Sequence, residues 1–317
     1  MKKLNNCPTD SISCIRFTPS SNTLMASSWD SNIYLYTLDN LDCIQTYKSR
    51  GPILCCDFTS DTSACSAGLD CELKVYDLIQ MKDSVIGRHL EAVSCLRWSA
   101  DRSTEFDYAM MIGCIVTGSW DGTIALWDPL VKPNGRPVDQ ASLRKMLPEN
   151  TKVYSLDVLG GTTVLAATNT LQIALYDIRK LDQPLEIRDS NLKFNLRCVC
   201  ALPSDHGFAS GCIEGRVSVD LLDPNSLLKP YCFKCHRKVV NNINQVFPVN
   251  ALAVHPTKSC LVTGGGDKAV YFWDYKSKKR LSYLRDLPSS VSSLAFNNDG
   301  SVLAIATSYL YENGQQS

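Results

Sequence analysis

The chain has 317 residues, of which 44% are hydrophobic and 20% are charged, and its 32 Lys and Arg residues balance 32 Asp and Glu residues. This composition is typical of a folded globular protein, and a net charge of zero argues against binding to nucleic acid through an excess of basic residues. The longest nearly apolar run, Tyr108 to Val116, is far shorter than the roughly 20 residues that span a bilayer. The N-terminal residues show no secretory signal.

Seven segments of the chain share one pattern. Each begins with a strand of alternating apolar and polar residues, passes through a polar turn into a strand of small and β-branched residues, and then through a tight acidic turn into a third strand. Alternation with a period of two, bounded by turn residues, predicts β-strands. The segments occupy approximately residues 11–40, 52–80, 92–130, 152–180, 196–236, 248–275 and 290–311.

The third strand of several segments ends in an aromatic residue followed by Asp. Trp127-Asp128 and Trp273-Asp274 have this ending, and Tyr76-Asp77 and Tyr176-Asp177 have a tyrosine in place of the tryptophan. With a mean repeat of about 43 residues, these segments resemble WD40 repeats. The resemblance implies an all-β fold, a single seven-bladed WD40 propeller that covers residues 1–317.

The third segment also contains a set of polar residues typical of such blades, namely His89, Ser119, Asp121 and Trp127. We expect the turn aspartate to pair with the histidine from the preceding loop, and the serine and the indole N–H to complete a buried chain of hydrogen bonds. These four residues are therefore predicted to have a structural role.

Closure of the ring is the least regular part of the pattern. The last segment offers only two clear strands, Val291–Phe296 and Val302–Thr307. We expect the seventh blade to be incomplete and the least stable, or to be closed by an outer strand from Lys2–Asn6; Ser308–Tyr311 is an alternative extension of the pairing. The insertion at Asp101–Met111 is expected to loop out of the third blade.

The 15 cysteines are odd in number and scattered, and they follow no export signal, so we expect reduced thiols in the cytosol or nucleus. Many occupy strand positions that suit a small hydrophobic residue.

Two motifs suggest chemistry but fit it poorly. Cys232, Cys235 and His236 match the C-x-x-C-H pattern of haem attachment, yet alternation along a strand places the two cysteines on opposite faces. The glycine-rich run at Thr263–Lys268 lacks the spacing of a phosphate-binding loop. No catalytic signature and no second metal-ligand pair occur, so we predict a non-enzyme with no cofactor and no bound metal.

Surface features remain as candidates for function. Trp29 and Trp120 follow serine at tight turns, where an exposed indole is typical of a partner anchor, although packing against a neighbouring blade is the alternative. Basic residues concentrate around the fifth and sixth segments, and a basic pocket suits a phosphorylated peptide, although a solvated basic edge is the alternative. These basic residues include Lys193, Arg197, Arg216, Lys234 and Arg237.

Several longer motifs resemble the mitotic-checkpoint WD-repeat proteins of the budding-uninhibited-by-benzimidazole group over nearly the whole chain. They are SSWDSNIYLY, GSWDGTIALWDP, IEGRVSVDLLDP, FKCHR, FPVNALAVHP and SSLAFNNDGSVLAIATSYLYE. The resemblance implies an adaptor of the spindle assembly checkpoint, in the nucleus, at the kinetochore in mitosis and partly in the cytoplasm. The messenger-RNA-export WD-repeat proteins share IEGRV and FKCHR, which leaves docking on a nucleoporin segment as the alternative.

The resemblance also implies roles for individual residues. Trp29, Trp120, Glu214 and Arg216 would bind a short acidic segment of a checkpoint kinase and of its pseudokinase-like relative. Arg197, Arg216, Lys234 and Arg237 would bind phosphorylated Met-Glu-Leu-Thr motifs of the kinetochore scaffold. No direct nucleic-acid or membrane partner is expected, and the propeller is predicted to be a monomer within hetero-complexes.

Overall fold

Residues 2–100, 113–129 and 143–311 are described by a computed structural model. Within these ranges the chain forms β-strands and one short 3-10 turn, Pro203–Asp205, and no α-helix. The insertion at Asp101–Met111 lies outside the described residues. The alternating segments form the strands because each sheet must bury its faces against its neighbours.

The first three repeats each form a four-stranded antiparallel sheet in which consecutive strands pair. Their strands are β1 (Ile12–Phe17), β2 (Thr23–Ser28), β3 (Asn32–Thr37), β4 (Cys43–Lys48), β5 (Ile53–Ser60), β6 (Ser63–Gly68), β7 (Glu72–Asp77), β8 (Lys82–Arg88), β9 (Val93–Ser99), β10 (Cys114–Ser119), β11 (Thr123–Trp127) and β12 (Leu143–Met146).

The next three repeats form sheets of the same kind, and a hairpin of two short strands, β21 and β22, separates the fifth sheet from the sixth. Their strands are β13 (Val153–Leu159), β14 (Thr163–Thr168), β15 (Gln172–Asp177), β16 (Glu186–Asp189), β17 (Leu196–Leu202), β18 (Gly207–Cys212), β19 (Arg216–Leu221), β20 (Tyr231–Lys234), β21 (Arg237–Val240), β22 (Ile243–Val246), β23 (Val249–Val254), β24 (Cys260–Gly265), β25 (Val270–Asp274) and β26 (Lys279–Leu284).

The prediction of seven blades is wrong, because the described residues form six four-stranded blades. The last repeat contributes only a two-stranded sheet, β27 (Val291–Phe296) and β28 (Leu303–Thr307). Its first strand packs against β23 of the sixth blade on one side and β1 of the first blade on the other. Ser308–Tyr311 does not extend the pairing, since these residues form no strand.

The N-terminal residues do not supply an outer strand either. Lys2–Asn6 has no strand conformation, and the segment lies against the first blade, where the Asn5 N–H donates to the Leu41 carbonyl and the Tyr36 hydroxyl donates to the Asn6 carbonyl. Side-chain hydrogen bonds join the last repeat to the first instead. The Ile12 N–H donates to the Ser308 hydroxyl at 2.8 Å.

The hydrophobic core lies between neighbouring sheets rather than at the centre of the ring. Trp127 of the third blade is 2% exposed and packs with Leu73 and Cys55 of the second. Nine of the cysteines in the described ranges are buried, and all 15 are free thiols. Small thiols on the inner strands therefore contribute to the packing of one blade on the next.

A belt of alternating charge connects the first four inner strands. Arg16, Asp57, Arg97 and Asp157 occupy the same position in β1, β5, β9 and β13. The Arg97 Nε donates to Asp157 at 2.8 Å. Burial raises the pKa of Asp57, and the two arginines oppose that rise. The belt thus joins the third blade to the fourth through the Arg97–Asp157 ion pair, and Arg16 and Asp57 add charges of alternating sign.

Candidate binding site

The centre of the ring opens into a cavity of about 590 Å³, which is lined by residues from the inner strand of each of the six blades and from β27 of the last repeat. Three residues that the sequence predicted to bind partners lie in its wall, namely Trp29, Trp120 and Arg197. Three tyrosines contribute further aromatic surface: Tyr154, Tyr309 and Tyr311. The cavity is therefore a partly aromatic recess with one predicted cation in its wall.

Backbone hydrogen bonds hold the two tryptophans at the rim of this cavity. The Trp29 N–H donates to the Ser11 carbonyl at 2.9 Å, and the Trp120 N–H donates to the Ala92 carbonyl at 3.0 Å. The Trp29 side chain remains 43% exposed, whereas Trp120 is half-buried and the Lys152 ammonium lies 5.9 Å from its ring centre. Both indoles thus face a recess that can bind an extended segment.

The fifth blade has a glycine at its corresponding turn, where the backbone requires one. Gly215 has a φ of +63°, and a Cβ there would lie 2.7 Å from the Cys235 carbonyl oxygen and 2.8 Å from that of Phe247. The conformation is one that other residues adopt less readily, and the close approach of the two carbonyls leaves no room for a Cβ, so this position favours glycine. The turn places Glu214 and Arg216 at the edge of the blade, next to the end of β20.

Four predicted residues meet at this edge, which we call the blade-five cluster: Glu214, Arg216, Lys234 and Arg237. Arg237 donates to the Glu214 carbonyl at 2.8 Å and to its carboxylate at 3.1 Å, and the Arg216 Nε lies 3.1 Å from that carboxylate. Arg216 is directly opposite Lys234 in the pairing of β19 with β20, so their side chains lie on the same face of the sheet. Arg197 lies apart from the cluster, in the cavity wall.

The cluster has an excess of positive charge. The hydrogen bond from Arg237, followed by the charge of Arg216, lowers the pKa of Glu214, which is therefore ionised at neutral pH. One carboxylate is shared between two guanidinium groups, while the Lys234 side chain is exposed. Such a group of cations can bind a dianionic phosphate through charge-assisted hydrogen bonds.

The structural residues of the third blade form a buried network with one difference from the prediction. The His89 Nδ1 lies 3.1 Å from the Asp121 carboxylate, and the His89 Nε2 lies 2.7 Å from the Thr117 hydroxyl. The Trp127 indole N–H donates to the same hydroxyl at 2.7 Å. Ser119, which was expected in this chain, instead donates to the backbone carbonyl of Ala92, because it lies two residues further along β10.

The sixth blade contains a second network that the sequence analysis missed. The His236 Nδ1 lies 2.7 Å from the Asp267 carboxylate, and the His236 Nε2 lies 2.9 Å from the Thr263 hydroxyl. The Trp273 indole N–H donates to the same hydroxyl. A signal was present, because in both blades the aspartate follows the threonine by four residues and the tryptophan follows it by ten.

The geometry of the C-x-x-C-H motif does not suit a covalently attached haem. Cys232 is exposed whereas Cys235 is buried, and both ring nitrogens of His236 already have partners within the protein. No group of three or more His, Cys, Asp and Glu side chains in the described ranges could hold a metal ion. Across the same ranges, no helix has the length and apolar character needed to cross a membrane.

Comparison with known proteins finds the WD domain, G-beta repeat family over four stretches of the chain, at residues 1–37, 41–77, 83–128 and 231–274. The chain is also 36% identical to the mitotic checkpoint protein BUB3.1 of Arabidopsis thaliana, over all of this chain and 89% of that protein. It is 31% identical to the mitotic checkpoint protein bub3 of Dictyostelium discoideum, over 98% of this chain and 89% of the relative.

Proteins of messenger-RNA export are also similar to this chain. The poly(A)+ RNA export protein of Schizosaccharomyces pombe is 30% identical over 97% of this chain and 84% of its own length. Similarity over nearly the whole chain thus extends to two groups of propellers with different names, and the two checkpoint relatives given above have the higher identity.

Proposed function

Because the chain belongs to the BUB3 family of WD-repeat mitotic checkpoint proteins, we propose that it is a non-enzymatic adaptor of the spindle assembly checkpoint. In this role it binds phosphorylated motifs of the kinetochore scaffold and recruits checkpoint kinases. It acts in the nucleus, at the kinetochore in mitosis, with a further cytoplasmic pool.

One observation carries the phosphopeptide part of the proposal, namely the pairing of Arg216 with Lys234 beside the Glu214–Arg237 contact. A phosphothreonine has a charge of about −1.5 to −2, and the cluster offers three cations against one carboxylate. The phosphorylated Met-Glu-Leu-Thr motif of the scaffold therefore binds at Arg216, Lys234 and Arg237. Arg197 contributes from the cavity wall.

The kinase segment binds across the cavity beside this cluster. Trp29 and Trp120 provide apolar anchors, and exposed tryptophans at a rim are typical of strong contacts in interfaces. Glu214 pairs with a basic residue of the segment and Arg216 with an acidic one. Both the checkpoint kinase and its pseudokinase-like relative bind through such a short acidic segment.

Single substitutions in the blade-five cluster test the phosphate site. Arg216→Ala and Lys234→Ala should each weaken binding of a phosphothreonine peptide roughly ten- to hundredfold, because a hydrogen bond to a charged group contributes about 1.5–3 kcal/mol. Lys229→Ala, an exposed lysine in the loop that precedes β20, is the matched control and should leave the affinity unchanged. Equal affinity of the wild-type protein for the phosphorylated and unphosphorylated peptides contradicts the proposal.

The second candidate is a role in messenger-RNA export, which the similarity to an export protein favours. In that case the propeller docks on a nucleoporin segment. A fluorescent fusion separates the two roles, since enrichment on unattached kinetochores supports the checkpoint and a rim at the nuclear envelope supports export.

A further inference from the structure

The outer strand of the sixth blade has an unusual excess of basic residues. The run from Tyr275 to Arg285 contains five cations and no acidic residue. Along β26 every side chain is exposed except the half-buried Leu284. Lys276, which lies just before the strand, pairs with Asp205 at 2.8 Å and is therefore already neutralised. The other four cations of the run lie on β26 or directly beside it.

Aromatic rings order two of these cations. The Arg285 guanidinium lies 4.5 Å from the centre of the Tyr283 ring and that of Arg280 lies 5.4 Å from it, while Tyr283 is itself 49% exposed. Within the described ranges, neither arginine forms an ion pair with a carboxylate. Ring contacts, and for Arg285 a hydrogen bond with Tyr271, therefore hold both guanidinium groups in place and leave their remaining N–H groups available to an anion.

This strip is linked to the blade-five cluster through Lys238 and the buried residues Asp267 and Tyr271. Lys238, the neighbour of Arg237, donates to the Asp267 carbonyl at 3.1 Å, and the Tyr271 hydroxyl donates to the Asp267 carboxylate at 3.2 Å. Arg285 lies over the ring of that same tyrosine. A chain of direct contacts thus connects the phosphate site to the stacked arginines.

We propose that Arg280, Tyr283 and Arg285 bind an acidic stretch of the kinetochore-scaffold segment that flanks its phosphothreonine, an inference that rests on the proposed function. The two guanidinium groups lie against the same Tyr283 ring and are therefore at most about 10 Å apart, which matches carboxylates two or three residues apart in an extended peptide. The net charge of the chain is zero and the strip is short, which favours an acidic peptide over a nucleic acid that needs many phosphate contacts.

Four peptides test this contact by calorimetric titration. They are a short phosphothreonine peptide, the same peptide with acidic residues added before or after the motif, and an acidic peptide without phosphate. One acidic extension should raise the affinity of the wild-type protein about tenfold. The double variant Arg280→Glu with Arg285→Glu should lose this gain and bind the short phosphopeptide as the wild type does.

A double variant of equal charge change, Lys48→Glu with Lys82→Glu, alters exposed residues on the outer strands β4 and β8. It should retain the gain from the acidic extension. The inference fails if neither extension raises the affinity, if the stacked-arginine variant keeps the gain, or if an oligonucleotide of equal charge binds the strip more tightly than the acidic peptide.

The two proposals fail separately. If the short phosphopeptide does not bind the wild type, the phosphate site is refuted. The acidic peptide without phosphate then tests the stacked-arginine strip independently of the phosphate site. Its binding to the wild type should still be lost in the double variant of Arg280 and Arg285.

Discussion

The turns of the sixth and fifth blades place an acidic residue at the same position and use it differently. Asp267 and Glu214 each precede a residue with positive φ, Lys268 and Gly215. In the sixth blade the short carboxylate is buried against His236. In the fifth blade the longer carboxylate reaches the edge and pairs with two arginines. One additional methylene thus separates a residue that stabilises the fold from one that is available to a partner.

Removing the buried carboxylate should have the largest effect on this pair of turns. Asp267→Ala leaves the buried imidazole of His236 and the Tyr271 hydroxyl without an acceptor, and breaking such a buried pair costs about 3–5 kcal/mol. Glu214→Ala should leave the free energy of unfolding nearly unchanged, because its ion pairs are partly exposed. Urea denaturation followed by circular dichroism measures both, and equal losses would contradict the distinction.

Reversing the charge of the exposed carboxylate should affect binding rather than folding. Glu214→Lys places a third cation beside Arg216 and Arg237 and removes the carboxylate that we propose to pair with a basic residue of the kinase segment. We expect more than a tenfold loss of affinity for that segment, about 1.4 kcal/mol or more, with the midpoint of urea unfolding nearly unchanged. Co-purification of the kinase segment with this variant at the wild-type level would refute the assignment of Glu214.

The repeats, the inner strands and the turns that contain Trp29 and Trp120 follow from local sequence, because alternation and turn residues act within about ten positions. The position of Arg216 opposite Lys234 also follows once the hairpin between their strands is recognised. These features depend on neighbours in the chain.

Features that depend on distant residues were harder to predict. The repeat pattern gives the number of repeats, which is seven. A repeat becomes a four-stranded blade only if it also has a third and a fourth strand, and after Thr307 the described residues form no strand. His236 and Asp267 are 31 residues apart in the chain and meet only in the folded blade. The charge belt, with its contact between Arg97 and Asp157, joins positions 60 residues apart.

Acid should weaken the network of the third blade. Burial by itself raises the pKa of Asp121, but hydrogen bonds from His89, Thr123 and the Leu90 N–H overcome this and hold it well below its usual value. A carboxyl with a lowered pKa stabilises the fold above its unfolded pKa of about 3.9, and this contribution declines as the pH falls below that value. The difference in unfolding free energy between wild type and Asp121→Asn should therefore shrink from pH 5 to pH 3; an unchanged difference would contradict this.

The hydroxyls of Thr117 and Ser119 on β10 should contribute different amounts to the free energy of unfolding, and this is the smallest of the expected effects. Thr117→Val leaves the buried indole N–H of Trp127 without an acceptor and should cost about 1–3 kcal/mol. Ser119→Ala removes hydrogen bonds to the backbone carbonyl of Ala92 and to the Asp121 N–H, and should cost about 1 kcal/mol. Thr117→Ser keeps the hydroxyl and serves as the control. Urea titration of the three variants measures the loss in the free energy of unfolding of each one. A larger loss for Ser119→Ala than for Thr117→Val would mean that Ser119, rather than Thr117, is the main hydroxyl of the network.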